Sequence, residues 1–166
     1  MIVDKVNKWL RAACALCATA MLALSPALAD GWNYMDDRST PQKLIESYYS
    51  AISNGSYAQA YGYFQESSAP ADFNTWAQGY ETTRSVTVRF GPTAPDPGAG
   101  QIYWALPVAI AAMQTDGSTK VFAGCYKIHM ANPGMQTDPP YQPMGIVSGS
   151  LKETDKPFDK AVPGSC

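Results

Sequence analysis

Apolar side chains change their spacing once along this chain, and that change restricts the fold more than any other feature. Up to Tyr80 they recur at helical intervals. Leu44, Ile45, Tyr48, Tyr49 and Ile52 make one stripe, and Phe73, Trp76, Ala77 and Tyr80 make another. From Val86 onward the period is two: Val86-Thr87-Val88-Arg89-Phe90 alternates and uses β-branched residues, as a strand does. Helices followed by antiparallel strands define an α+β order, with N-terminal helices packed on one face of a curved antiparallel sheet.

Local chemistry sets the boundaries. Thr40-Pro41 starts the first helix, Thr40 as N-cap and Pro41 at the first helical position. Asn54-Gly55 ends it, because Gly tolerates the left-handed conformation found there. A second helix is predicted from about Ser56 to Phe64, burying Tyr57, Ala60, Tyr61 and Phe64, and Asp72 caps a third. Gly91 to Gly100 holds three Pro and three Gly and reads as a loop. Ile102 to Gln114 follows as a long strand in which Pro107 demands an edge position or a bulge, since it cannot donate to a ladder. Asp116-Gly117 turns the chain, and Thr119 to Met130 pairs back on it. A Pro-rich excursion over Asn132 to Pro143 leads to a last strand, Gly145 to Lys152. The charged tail, residues 153–166, would wander unless its final Cys were tied down.

The first 29 residues have a different character. Lys5, Lys8 and Arg11 precede an uncharged run, Ala12 to Leu24, and Ala27-Leu28-Ala29 offers small residues for cleavage. Positive, apolar, then small is the layout of a secretory signal, and the run is too short to span a bilayer core comfortably. The expectation is cleavage before Asp30, a flexible leader over residues 30–39, and an exported, periplasmic or extracellular protein without stable membrane insertion. Removing Lys5, Lys8, Arg11 and Asp4 from 12 basic and 14 acidic side chains leaves 9 against 13, a net charge of −4. No basic cluster remains, and nucleic-acid binding needs several phosphates neutralised at once. Two of the four Cys leave with the signal. Cys125 and Cys166 remain, and two thiols in an oxidising compartment point to one structural disulfide.

The run from Pro41 through Leu44-Ile45-Glu46-Ser47-Tyr48-Tyr49 and Asn54-Gly55-Ser56-Tyr57-Ala58-Gln59-Ala60-Tyr61 resembles the opening of nuclear transport factor 2-like (cystatin-like) domains. Phe73-x-x-Trp76-Ala77-Gln78-Gly79-Tyr80 and Phe122-Ala123-Gly124-Cys125-Tyr126 are similar to an exported bacterial branch of that superfamily. The likeness covers most of residues 40–152. It implies a cone of curved antiparallel sheet wrapped on a long helix, with a pocket at the open end. The superfamily includes isomerases, dehydratases, transport factors and assembly domains, so the fold does not choose among them.

Candidate site residues follow from that cone. Tyr48, Trp76, Tyr80, Trp104 and His129 are the candidates for its lining. The side on which His129, the only histidine, falls is left open by strand alternation. Tyr48, Tyr49, Tyr61, Tyr63, Tyr80 and Tyr126 could offer hydroxyls to a ligand, although dense tyrosines more often bond to backbone within a core. Asp72 is taken up as a cap, and no acid–base pair stands out. His129-Met130, Met135 and Met144 have the soft character of copper ligands, but neighbouring strand residues point apart and Met is a common core filler. No cofactor or metal is expected. The reading is a non-catalytic binding or interaction module for a small apolar ligand or an envelope protein. Its rival is a small-molecule isomerase or dehydratase acting in the cone.

Overall fold

The computed structural model describes residues 34–166. The signal predicted for residues 1–29 lies outside them, as does the first part of the 30–39 leader. Three helices come first: α1 (Pro41–Ser53), α2 (Tyr57–Tyr61) and α3 (Phe73–Gln78). Strands follow: β1 (Thr83–Phe90), β2 (Asp96–Gly98), β3 (Gln101–Gln114), β4 (Thr119–Ala131) and β5 (Gly145–Glu153). All the strand pairs are antiparallel, in the order β1-β3-β4-β5, with β2 also on β3. The fold is α+β: a few helices packed on one curved antiparallel sheet.

Helix α1 begins as its sequence dictates, with Thr40 Oγ1 accepting the Lys43 N–H at 3.1 Å. At its far end Gly55 takes φ 68°, and the N–H groups of Gly55 and Ser56 reach back to Ile52 and Ala51 at 3.0 and 2.8 Å. That reciprocal closure satisfies carbonyls that the helix leaves open. The buried stripe of α1 rests on the inner face of the sheet, made by Leu106, Val108 and Ile110 of β3 and by Tyr126 and Ile128 of β4. Ser53 fastens α1 to the sheet edge: its Oγ accepts the Val86 N–H of β1 at 3.0 Å. Helix α2 is shorter than predicted and buries Ala60, while fully buried Tyr63 follows it.

Segment 34–39, predicted as a free leader, is bonded to the domain. The Met35 carbonyl accepts from Tyr63 Oη at 3.0 Å and Gln59 Nε2 at 2.9 Å. Asp37 N donates to buried Ser47 Oγ at 2.8 Å, and the Arg38 guanidinium stacks 4.5 Å from the centre of the Tyr63 ring.

Pro107 explains an interruption in the sheet. On one flank of β3, β2 pairs with residues 101–103 and β1 with residues 108–114. Gly91 N donates to the Pro107 carbonyl at 2.9 Å. The return bond would need a proline N–H, so the β1 ladder stops there. The expected local edge is present, but β4 pairs with β3 along its other flank without a break. Strand β2 lies inside the Gly91–Gly100 segment, where the sequence predicts only loop.

Alternation puts Pro107 and Ala109 on the outer face, yet both are buried, because the tail crosses them. A Cβ on Gly91 would lie 2.9 Å from Pro107 Cβ and 3.2 Å from the Pro163 carbonyl, and Ala161 is buried. Phe158 sits under the Arg89 guanidinium at 5.2 Å. Cys166 then joins Cys125 on β4, Cα–Cα 5.9 Å, 41 residues earlier.

Candidate functional site

Helix α1, helix α3 and the inner face of the sheet enclose a cavity of about 680 Å³. Tyr48 and Tyr49 enter from α1, and Trp76 and Tyr80 from α3 and the turn after it. The sheet contributes Val86, Ile110, Ala112, Phe122, Tyr126 and Leu151. Polar residues of the lining are Thr82, Thr83, Gln114 and Lys120 near the hairpin that joins β3 to β4, and Ser68 and Ser148 away from it. Among the described residues no carboxylate and no imidazole lines this cavity. Gln114 is spent at both ends, accepting from Thr82 Oγ1 at 2.9 Å and donating to the Ala112 carbonyl at 3.2 Å.

Short α3 has no buried residue and is held by rings. Trp76 lies 5.3 Å from Tyr61, 5.3 Å from Tyr80 and 6.2 Å from Phe64, centre to centre, in edge-on arrangements that aromatic quadrupoles favour. Across the cavity the phenols pair. Tyr48 and Tyr80 hydroxyls are 2.7 Å apart, and those of Tyr49 and Tyr126 are 2.6 Å apart. Burial pushes Tyr48, Tyr49 and Tyr126 well above the usual phenol range, and raises Tyr80 less strongly. These groups stay protonated at any physiological pH and serve as hydrogen-bond donors, not as bases.

Three of the five candidate lining residues, Tyr48, Trp76 and Tyr80, come together here. Two do not. Trp104 faces inward and is buried, but it stands six residues along β3 from Ile110, about 20 Å at strand rise. The strand is simply longer than the cavity. His129 pairs with Tyr103 on the outer face, its ring 4.7 Å from the Tyr103 ring. Its Nδ1 donates to Gln65 Oε1 at 2.9 Å, while Gln65 Nε2 donates to the His129 carbonyl at 3.2 Å. The Gln101 amide lies against Nε2. Burial and the neighbouring Lys127 charge hold the imidazole below its ordinary value, so at neutral pH it is an uncharged ring braced by two amides. Met130 projects to the opposite face from His129, and Met135 is exposed, so these soft ligands do not converge. Among the described residues no cluster of His, Cys, Asp and Glu could hold a metal ion.

The six tyrosines divide. Tyr61 Oη donates to the Pro70 carbonyl and Tyr63 Oη to the Met35 carbonyl, as core tyrosines do. Tyr48, Tyr49, Tyr80 and Tyr126 line the cavity, and their hydroxyls bond in pairs. Sequence reasoning missed Gln114, Lys120 and Gly149 of the lining. For Gln114 and Lys120 a signal existed, since both flank the Asp116-Gly117 turn where a long hairpin reaches the cone mouth.

Fold and site together define an α+β cone with an aromatic chamber under the sheet. No family model matches the sequence, and no curated protein matches it. Among solved structures, the chain is similar to an NTF2-like protein of unknown function from Exiguobacterium sp. 255-15. That likeness has 11% identity and a TM-score of 0.38, over 68% of this chain and 99% of the other.

Proposed function

We propose that this domain is a non-catalytic binding module of the periplasm or cell exterior, and that a small, largely apolar molecule occupies the chamber. The wall carries this reading. The cavity has the volume of a ligand site, is lined mainly by aromatic and aliphatic side chains, and carries a few polar groups. Proton-transfer chemistry needs a group that titrates near neutral pH, and the phenols of this wall are driven away from that range. Export is supported by the Cys125–Cys166 bridge, and no helix among the described residues is long and apolar enough to cross a membrane. N-terminal sequencing of the protein secreted by its host is expected to begin near Asp30; an intact Met1 overturns export by cleavage.

Binding is tested with 1-anilinonaphthalene-8-sulfonate. One saturable site per chain is expected, and Ala112→Trp, which fills the chamber, should weaken it about tenfold or more, a difference of about 1.4 kcal/mol. Unsaturable binding, or affinity untouched by the filled chamber, sinks the proposal.

A further inference from the structure

We infer that the ligand of this chamber carries a hydrogen-bond acceptor oxygen, of carbonyl or ether type, seated at the Tyr49–Tyr126 hydroxyl pair. This rests on the binding reading above and names its ligand class.

A count of hydrogens leads there. Each phenol brings one hydrogen to donate. Tyr49 and Tyr126 are 3% and 5% exposed, and among the described residues each hydroxyl has only the other as partner, at 2.6 Å. One hydrogen fills that bond; the second has no acceptor on the wall. The Tyr48–Tyr80 pair repeats the arrangement at 2.7 Å. Trp76 adds its indole N–H beside both of those hydroxyls and supplies no acceptor. Elsewhere in the chamber the Gln114 oxygen is already taken by Thr82. Buried donors in folded proteins nearly always have a partner. The Tyr49–Tyr126 pair therefore keeps one buried hydrogen that still needs an acceptor. Among the described lining residues the one charged side chain, Lys120, is a cation, which disfavours an ammonium group there.

Shape also favours the Tyr49–Tyr126 seat. A Cβ at Gly149 would come 2.5 Å from Tyr126 Cε1, so the bare backbone at 149 is what lets this ring lie flat against β5 and reach Tyr49.

The test uses two probes of matched shape, 2-acetylnaphthalene and 2-isopropenylnaphthalene, titrated into the intact mature chain. The ketone is expected to bind about tenfold more tightly, with its carbonyl stretch moved to lower wavenumber on binding. In the Tyr49→Phe, Tyr126→Phe double variant the preference for the ketone over the hydrocarbon should fall below about twofold. Equal affinities for the two probes, an unmoved carbonyl stretch in the wild type, or a preference that survives in a folded double variant would each overturn the acceptor inference while leaving the binding reading intact. If neither probe binds, both readings fall. Should the double variant fail to fold, the wild-type affinity ratio and infrared shift decide alone.

Discussion

Tyr126 reaches Tyr49 across the chamber because position 149 carries no side chain, and this makes Gly149 the most sensitive point of the site. A Cβ at 149 would come 2.5 Å from Tyr126 Cε1, so Gly149→Ala must displace that buried ring. An overpacked core position of this kind costs about 1–3 kcal/mol, to be read from urea unfolding. Unchanged stability would mean that Tyr126 can leave its seat freely. His129 gives a second residue-scale expectation. Burial, then Lys127, keeps its folded pKa under the ordinary 6.5, so the unfolded chain takes up the proton more readily. Stability is then at its full value above pH 6.5 and declines as pH falls through that value, until the folded ring protonates too. Asp37, Asp72 and Asp116 are all lowered by their own hydrogen bonds and titrate far below this window. A thermal melt series from about pH 8 to pH 5 should show the decline in the wild type and lose it in His129→Gln. The face on which His129 lies could not be read from alternation, because a period of two fixes only relative sides. The pairing of β4 with β3, where His129 meets Tyr103 and Ile128 meets Trp104, supplies the missing reference.

At the scale of elements, local signals were legible and register was not. The Thr40 cap, the Gly55 stop, the Asp72 cap and the Asp116-Gly117 turn all depend on side chains within four residues, and each stands where its chemistry puts it. Thr40→Ala should cost about 1 kcal/mol in a denaturation midpoint series, with no effect on the sheet. A null result would show that packing of the α1 stripe already holds the helix start. Strand β2 was hidden for the opposite reason. Asp96-Pro97-Gly98 has no strand propensity, and its pairing exists only because β3 runs past the end of β1 and leaves ladder positions open at residues 101–103. The chamber was legible in part for a related reason. Helical stripes named Tyr48, Trp76 and Tyr80, since helix faces are short and converge. The strands extend beyond the chamber, so inward-facing Trp104 joined the core elsewhere.

For the molecule as a whole, the Cys125–Cys166 bridge ties the far end of the tail back to β4. Closing 41 residues removes chain entropy worth about 4 kcal/mol from the unfolded state. Cys125→Ser in an oxidising buffer, or the wild type held in a reducing one, should lower stability by up to that amount in thermal melts; no change would mean the tail adheres by packing alone. Without the bridge, Phe158, Ala161 and Pro163 would still cover Pro107 and Ala109, but only by burial of a small apolar area. The link has a mechanical meaning as well. A protein pulled apart by its two ends releases slack in proportion to the residues it lets go, up to about 3.5 Å for each. In this chain the stretch from Cys125 to Cys166 stays locked in a closed loop, so a force probe would record its contour about 140 Å shorter when oxidised than when reduced.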